Sequence, residues 1–587
     1  MLPASRRERA LGALVVIAAC VYMIPFAPRG WIPHDEGMLG QAADRVMHGG
    51  IPHVDYEEAY TGGLSWAYAL VFRTRGVDVV NIRWLLLVGG CATAWLVYAI
   101  SRRYLRPIGA ALAAWVAIAW SFPNYFSGIP SWWLLVCALV CAWAFIRYVE
   151  TEHSVFIAVA GLAAGTAIAI KQTGVYVFVA LMLTLLHASG PRPLARIAAA
   201  AAAALAAIVL APRIFQAEGL YLFLPAAACA LTVFVSSRRL LPASTEGQSL
   251  ALVAIASAVA AVPVACLLMP YVLRHRLWDF VNGAFVLPQK RLEFASAAMP
   301  GAWLAVAGLP LVALIGSDRI ARRISSSAVL RAAIWTLAIA LPIAALWNAV
   351  SYQVVWQSAR ASAAFLPIVA CWRIARGRID NARERAIVFV LVAMLAWSSL
   401  NQFPFAAPIY FSYVAPLAVV ATVAVAANAS SLQRDTILPW AVMLLMFGVL
   451  STNRGYIESL GVAHVPRRFD APLQLPRAHL LVSDNDAHTY REVVASIGRH
   501  LRGGQLVAGP DCPEVYFLAG LTNPSGALFD FLSDGDADDA ARWLKGDTIV
   551  VNHAPHFTAR PSEPLLATLR REFPHHEDVG RFEIRWR

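Results

Sequence analysis

The sequence predicts a polytopic α-helical membrane protein that ends in a small α/β domain outside the membrane. Hydrophobic residues make up 59% of the 587 residues and charged residues only 14%, against about 45–50% and about 25% in soluble domains. The mean hydropathy is +0.59. After residue 450, short strand-like and helix-like runs replace the long apolar runs. This composition excludes a soluble globule, a disordered chain and a disulfide-rich secreted scaffold.

Fifteen apolar runs before residue 451 are candidate membrane spans, because about 20 mostly apolar residues cross a bilayer as a helix. Several of the runs are short, so we expect about 13 to 15 transmembrane helices within residues 1–450. The runs lie near residues 11–27, 80–100, 107–122, 131–149, 154–170, 173–187, 194–211, 219–235, 249–270, 302–316, 331–350, 361–375, 386–400, 409–427 and 436–450.

The charge distribution predicts the orientation in the membrane. Residues 1–450 carry 33 basic and 18 acidic side chains, whereas residues 451–587 carry 15 basic and 18 acidic ones. The basic excess lies in short loops, where the positive-inside rule places it. We therefore expect a multi-pass protein of the cytoplasmic membrane, with a cytoplasmic N-terminus and an extracytoplasmic C-terminal domain. Membrane lipids, and no nucleic acid, are the partners that this charge pattern indicates.

The first predicted outer loop, residues 28–79, contains two short helices. Apolar residues recur at helical spacing from Met38 to Met47, with Asp44 and Arg45 off that stripe. A second helix is expected from Leu64 to Phe72. This pattern is typical of helices that lie in the membrane interface.

The last part of the chain, residues 451–587, is predicted to be an α/β domain. Strand-like runs at 505–509, 548–552 and 582–586 alternate with helix-like runs at 487–501, 513–520, 537–544 and 563–572. Such alternation favours a small α/β fold. Asp511 follows the first of these strands and is expected to cap the next helix.

Two adjacent carboxylates directly follow the first span, in the run Trp-Ile-Pro-His-Asp-Glu-Gly at residues 31–37. Two interpretations are open. Asp35 can cap a helix while Glu36 interacts favourably with the helix dipole. Alternatively, a carboxylate at the lipid–water boundary, beside His34, can act as a general base.

The order of these features resembles the membrane glycosyltransferases of the GT-C superfamily. The order begins with a first span, an outer-face Asp-Glu pair and an interfacial helix. It continues with the run Gly-Gly-Ile-Pro-His-Val-Asp-Tyr at 49–56, a second interfacial helix and Arg83 at the second span. The pattern is most similar to the branch with protein O-mannosyltransferases, the lipid A aminoarabinose transferase and rhizobial lipopolysaccharide core glycosyltransferases. The similarity covers about residues 10–190.

This resemblance implies an enzyme that transfers a sugar, with inversion, from a polyprenyl-phosphate donor. The acceptor is a lipid, a glycan or a protein on the outer face of the membrane. Asp35 matches the residue that serves as base in this superfamily, and Glu36 matches its neighbouring acid. Glu36, His34, Asp55 and Arg83 are expected to help bind substrate. The chain departs from several relatives in having Tyr-Thr-Gly-Gly at residues 60–63 in place of a Lys-Pro-Pro segment.

A lipid phosphate as leaving group requires cations, because negative charge builds on its oxygens as the glycosidic bond breaks. The candidates at predicted outer positions are Lys171, the pair Lys290 and Arg291, and Arg360. The alternative is that each of them neutralises or reaches toward lipid headgroups. Lys171 is the strongest candidate, because a lysine between two short apolar helices is costly without a partner.

No cofactor is predicted, and no ligand motif supports a divalent metal. An O-antigen ligase or polymerase and a lipid-linked sugar flippase or transporter remain alternatives. A ligase is expected to carry its large outer loop between late spans, whereas the first loop is the richest one in this chain. A transporter more often shows internal repeats and charged residues in mid-span.

Overall fold

The computed structural model describes residues 6–189, 192–235, 246–429, 431–452, 469–501, 503–532 and 539–587. Helices make up most of the described chain up to residue 452. In chain order they are α1 (Arg6–Met23), α2 (Pro33–Met47), α3 (Gly63–Arg75), α4 (Val79–Ser101), α5 (Pro107–Ala119), α6 (Pro130–Thr151), α7 (Val155–Ile170), α8 (Val175–Ser189), α9 (Arg192–Leu210), α10 (Leu224–Val235), α11 (Glu246–Leu273), α12 (Leu277–Val281), α13 (Arg291–Phe294), α14 (Leu309–Gly316), α15 (Asp318–Ser326), α16 (Ala328–Ala344), α17 (Ala349–Ala375), α18 (Ala382–Ser399), α19 (Pro408–Ser412), α20 (Ala415–Ala427) and α21 (Ser431–Thr452).

Six helices of the described chain are long and apolar enough to cross a membrane, and seven apolar helices are shorter. Each of the fifteen predicted runs contains a helix. The run at 302–316 differs most from a full span, because a 3₁₀ segment, Ala302–Gly308, precedes the eight-residue α14. The predicted class, a polytopic helical membrane protein with a small C-terminal sheet domain, is confirmed.

Helix position in the bundle follows from which side chains are exposed. On α1, Leu14, Ile17 and Val21 are each more than half exposed, and their spacing places them on one face of the helix. A lipid-facing helix requires such an apolar stripe. The opposite case is α18, in which every residue from Ala386 to Trp397 is buried. This helix therefore forms the centre of the bundle.

The two helices predicted in the first outer loop are present as α2 and α3. However, α2 is buried on its polar face as well as on its apolar face. Gln41 donates a hydrogen bond to the carbonyl of Leu521 at 2.8 Å, and Asp44 pairs with Arg477 at 2.7 Å. The polar face of α2 is therefore covered by protein.

The described residues of the C-terminal part form two sheets and four helices. Strands β1 (Ala471–Pro472) and β2 (Leu481–Val482) are antiparallel. Strands β3 (Leu506–Gly509), β4 (Thr548–Asn552), β5 (His575–Val579) and β6 (Phe582–Trp586) form one sheet in the order β3-β4-β6-β5, in which only β3 and β4 are parallel. The helices are α22 (Asp484–His500), α23 (Pro513–Ala519), α24 (Ala540–Trp543) and α25 (Glu563–Glu572).

The sequence predicted three of the four strands in the larger sheet and missed β5. Its sequence, His-His-Glu-Asp-Val, is almost entirely polar, and it pairs only with β6 at the sheet edge. An edge strand without apolar alternation carries no strand signal. The proposed domain boundary at residue 451 stays a prediction, because residues 453–468 lie outside the described chain.

The C-terminal part packs directly on the first outer loop. The backbones of Pro28, Gly30 and Leu481 exchange two hydrogen bonds of 2.7 and 2.9 Å. At Gly37 the contact with α23 is so close that a Cβ atom would lie 2.3 Å from the backbone nitrogen of Glu514. This docking brings loops of the C-terminal sheet over the first turn of α2.

Candidate active site

A cavity of about 830 Å³ lies where the first turn of α2 meets the α7–α8 junction, residues 284–295, residues 401–413 and the loop after β4. Some of its lining is apolar and comes from α9, one of the six long apolar helices, and from the segment before α13. The apolar residues include Ile208, Val209, Pro212, Phe285, Pro288 and Leu292. The polar residues include His34, Asp35, Tyr60, Tyr125, Ser131, Lys171, Thr173, Arg291, Asn401, Tyr410, Tyr413 and His556.

Asp35 lies in the first turn of α2 and lines the cavity. The N-cap residue of this helix is Ile32, which makes no side-chain cap, and Pro33 follows it. The expectation that Asp35 caps the helix is therefore wrong, because the helix begins two residues earlier, at a proline suited to a first turn. Its Oδ2 instead accepts a hydrogen bond of 2.5 Å from the hydroxyl of Tyr125, and its side chain is 19% exposed.

His34 is the nearest ionisable neighbour of Asp35, with 3.9 Å between its Nε2 and Oδ1 of Asp35. Its ring stacks on the ring of His556, with centroids 4.0 Å apart and an interplanar angle of 13°. Burial lowers the pKa of His34 to about 4, although Asp35 acts in the opposite direction. At neutral pH the imidazole is therefore uncharged, so His34 does not act as a cationic partner of Asp35.

Glu36 points away from the cavity and pairs with Arg83. The guanidinium donates from Nε and from a terminal nitrogen to the two oxygens of Glu36, both at 2.6 Å, and both side chains are buried. Arg83 also donates to the carbonyls of Ala27, Arg29 and Gly30. Neither residue lines the cavity. Their geometry therefore orients the backbone that leads into α2, and the expected part of both residues in substrate binding stays a prediction.

Lys171 lies between α7 and α8 and is 4% exposed. Its Nζ donates to Oδ1 of Asn401 at 2.9 Å and to Oγ of Ser131 at 3.1 Å. Within the described chain no carboxylate lies within 4.0 Å of this ammonium group. Burial, and then Arg291, lower the pKa of Lys171 to about 7, whereas Asp35 raises it. Lys171 is thus a buried cation with neutral partners only.

Two aromatic rings bring Lys171 and Arg291 together. Nζ of Lys171 lies 5.5 Å from the ring centre of Tyr60 and 5.6 Å from that of Tyr410. The guanidinium of Arg291 lies 5.3 Å from the Tyr60 ring, and its buried Nε has no hydrogen-bond partner among the described residues. Aromatic faces stabilise cations that are partly removed from water. The two cations therefore share one side of the cavity.

Three other predicted substrate-binding residues are not among those that line the cavity. Lys290 donates to the carbonyl of Leu532 in the C-terminal part at 3.2 Å. Arg360 is buried within the bundle and donates to the carbonyl of Ala406 at 2.8 Å. Asp55 accepts from the backbone of Ile51 at 2.7 Å and is 47% exposed. Each is engaged by nearby protein groups, so the structure does not bring it to the cavity.

Sequence reasoning missed several polar residues of the cavity, chiefly Tyr125, Asn401 and His556. Nothing in the local sequence around Tyr125 or Asn401 indicates a site, because each lies in a short, partly polar run between apolar helices, and ordinary loops have the same composition. His556 follows β4, and residues after a parallel strand commonly line a site. The position of His556 after a predicted strand is therefore the one local signal for this residue.

The expectation that Asp511 caps α23 is also wrong. The N-cap of α23 is Cys512, which makes no side-chain cap. Oδ2 of Asp511 accepts from the backbone nitrogens of Phe557 and Thr558 at 3.0 and 2.7 Å, and Oδ1 accepts from the Thr558 hydroxyl at 2.8 Å. Burial raises the pKa of this carboxyl group. Asp511 therefore holds the loop that carries His556.

Within the described chain no three His, Cys, Asp or Glu side chains come together as a metal site requires. The chemistry that the arrangement supports is anion binding at Lys171 and Arg291, next to a carboxylate that can accept a proton.

The family described as dolichyl-phosphate-mannose-protein mannosyltransferase matches residues 63–215. No curated protein matches the chain by sequence. Solved structures that resemble it include ArnT from Cupriavidus metallidurans bound to undecaprenyl phosphate, at 12% identity over 99% of this chain and 98% of that one, with a TM-score of 0.43. The oligosaccharyltransferase of Archaeoglobus fulgidus, in the apo form, is 12% identical over 92% of this chain and 69% of that one, with a TM-score of 0.41. The family match confirms the resemblance to GT-C membrane glycosyltransferases.

Proposed function

We propose that this protein is an inverting glycosyltransferase of the cytoplasmic membrane. It moves a sugar from a polyprenyl-phosphate donor to a hydroxyl group of a lipid, glycan or protein acceptor on the outer face. The observation that carries the proposal is one cavity that contains both the Asp35 carboxylate and the buried ammonium of Lys171, beside an apolar wall.

The donor side of the proposal rests on Lys171 and Arg291. A buried cation without an anionic partner is costly, and a phosphate placed between these two groups supplies the missing charge. The apolar lining from α9 suits a prenyl chain, because that chain gains free energy by leaving water for an apolar surface. A lipid phosphate is the ligand class that uses both features at once.

The acceptor side rests on Asp35. A hydroxyl group is a poor nucleophile at neutral pH, and a carboxylate within hydrogen-bond reach activates it as a general base. The hydroxyl proton passes to Asp35 as the oxygen forms its bond to the anomeric carbon. The bond from that carbon to the phosphate oxygen breaks on the opposite face, and its electron pair stays on the phosphate, whose charge Lys171 and Arg291 stabilise.

The experiment starts from a strain that lacks this protein. Its envelope glycan is analysed for a missing sugar, and variants are then compared with the wild type for transfer of that sugar. Asp35→Asn is expected to reduce sugar transfer by at least about 10²-fold. Lys171→Met keeps the length of the side chain but removes its charge, and is expected to cost about 10²–10³-fold. Lys545→Met, at an exposed position of the C-terminal part, is the matched control.

Correctly inserted protein is verified for each variant by its elution as a single species after solubilisation. Near-normal transfer by both Asp35→Asn and Lys171→Met would falsify the proposal. An intact envelope glycan in the deletion strain would also exclude it.

A further inference from the structure

The C-terminal sheet directs the ends of its two parallel strands toward the cavity. Strand β3 ends at Gly509 and its parallel neighbour β4 ends at Asn552. In sheets with parallel strands, the loops at the carboxyl ends are where ligand sites are commonly built. Here those loops contain Asp511 after β3 and His556 after β4.

A network of hydrogen bonds holds the two loops together. Asp511 is 2% exposed and accepts three hydrogen bonds from Phe557 and Thr558. A fourth comes from the backbone of Asp530 at 3.0 Å. In addition, the side-chain amide of Asn552 donates to the carbonyl of Pro510 at 3.1 Å. A buried carboxylate with this many donors sets the path of the loop, because any other path leaves the carboxylate oxygens without partners.

The loop places the ring of His556 inside the cavity and against His34. Within the described chain neither ring nitrogen of His556 takes part in a hydrogen bond, and the side chain is exposed. The ring of Phe557 meets the rings of His34 and His556 edge to face, with centroids 5.7 and 4.4 Å away. The imidazole is therefore oriented by ring contacts while its polar atoms stay accessible from the cavity.

We infer that His556, carried by the C-terminal domain, contacts the acceptor beside Asp35, and that Asp511 is the positioning residue that holds it there. The inference rests on the function proposed above and names the residues through which the C-terminal domain takes part in it. The acceptor feature recognised is a hydroxyl group close to the one that reacts, because a neutral imidazole offers one donor and one acceptor.

The electrostatic surroundings agree with a neutral imidazole. Partial desolvation by the protein packed around the ring lowers the pKa of His556, and Arg581 acts in the same direction, whereas Asp35 and Asp511 raise it. The ring of His34, which faces it, has a pKa of about 4. Neither ring then forms a strong ion pair with Asp35, so the carboxylate stays available to take a proton.

The test measures transfer by the full-length protein in membranes. The acceptor probe is the envelope fraction of a strain that lacks this protein, added in increasing amounts. Undecaprenyl phosphate, added as an inhibitor, reports separately on the donor side. His556→Ala is expected to raise the half-saturating amount of envelope fraction about three- to tenfold, the size of one lost hydrogen bond. Inhibition by undecaprenyl phosphate is expected to stay unchanged.

Variants of the loop separate positioning from general stability. Asp511→Ala is expected to reproduce the effect of His556→Ala. Thr558→Val removes one of the hydrogen bonds to Asp511 and is expected to produce a smaller rise in the half-saturating amount. His488→Ala, at an exposed position of α22, is the matched control and is expected to change neither quantity. If Asp511→Ala does not fold, Thr558→Val and His556→Ala decide the matter.

If His556→Ala and Thr558→Val both show the same half-saturating amount of envelope fraction as the wild type, this inference is overturned while the proposed function stands. Failure of the proposed function has a different signature, since the wild-type protein itself then adds no sugar to the envelope fraction. That result removes the inference as well. A selective rise in the half-saturating amount, with donor inhibition unchanged, supports it.

Discussion

Glu36 and Arg83, 47 residues apart in the chain, form a buried ion pair in which both carboxylate oxygens are bound at 2.6 Å. The same guanidinium donates to three backbone carbonyls between Ala27 and Gly30. A planar fork with five donors suits this arrangement, and a lysine does not. The pair therefore fixes the loop that delivers Asp35 to the cavity.

Breaking this pair is predicted to affect stability more than ligand binding. Glu36→Gln leaves the charge of Arg83 buried without a counter-ion, a change that typically costs about 3–5 kcal/mol. We expect a clear fall in the Tm of the solubilised Glu36→Gln protein. The Tm of Arg83→Lys is expected to fall as well. Both are measured by thermal unfolding in detergent. An unchanged Tm with weaker binding of undecaprenyl phosphate would instead assign the pair to substrate binding.

Tyr125 is predicted to position Asp35. Tyr125→Phe keeps the ring but removes the hydrogen bond of 2.5 Å to Oδ2. Sugar transfer should fall about three- to tenfold, the effect of one hydrogen bond, while binding of undecaprenyl phosphate stays the same. Tyr148→Phe is the matched control, since it lies about 25 Å along α6 from Ser131 of the cavity. Equal transfer rates for Tyr125→Phe and the wild type would exclude this role.

Lys171 is predicted to make phosphate binding dependent on pH. Its pKa of about 7 lies below its ordinary value because of burial. The ammonium form is present below about pH 7 and is lost as the pH rises through that value. Affinity for undecaprenyl phosphate should therefore weaken above about pH 7, since only the charged lysine attracts the phosphate.

The control for this pH dependence is Lys171→Arg, because an arginine side chain stays charged throughout this range. Its binding curve should be flat above about pH 7, where the second ionisation of the phosphate, with a pKa of about 6, is largely complete. Binding is measured by titration with undecaprenyl phosphate at a series of pH values. Identical curves for Lys171→Arg and the wild type would show that Lys171 is not the titrating group.

The contact between α2 and the C-terminal part is predicted to depend on Gly37. A methyl group there would lie 2.3 Å from the backbone nitrogen of Glu514, and backbone atoms cannot move aside as a flexible side chain can. Gly37→Ala should separate α23 from α2, increase protease sensitivity of the C-terminal part and reduce transfer.

Gly498→Ala is the matched control for Gly37→Ala. Gly498 lies within α22, where an added Cβ meets nothing within 4 Å. Replacing a helical glycine by alanine there should stabilise the protein slightly, by about 1 kcal/mol or less. Limited proteolysis compares the two variants. Equal protection of the C-terminal part in both would contradict the proposed contact.

Several features were predictable from the sequence because they depend on neighbouring residues. Apolar runs produced helices at every predicted position, including α7 and α8 on either side of Lys171. Adjacent helical residues point about 100° apart, so Asp35 and Glu36 face different partners once both lie in a helix. The alternation of short strands and helices after residue 470 predicted the fold of the C-terminal part.

The site itself was decided by tertiary structure. Asp35, Lys171 and His556 are far apart in the chain, yet they line one cavity. The partners of Glu36 and Asp511 depend on which distant side-chain and backbone groups come within hydrogen-bond reach. The exclusion of Lys290 and Arg360 from the cavity depends on distant backbone carbonyls in the same way. Residue type and spacing thus determine the helices and the chemical groups available. Packing between distant segments determines which of those groups share one volume, because burial and pairing are properties of contacts and not of the local sequence.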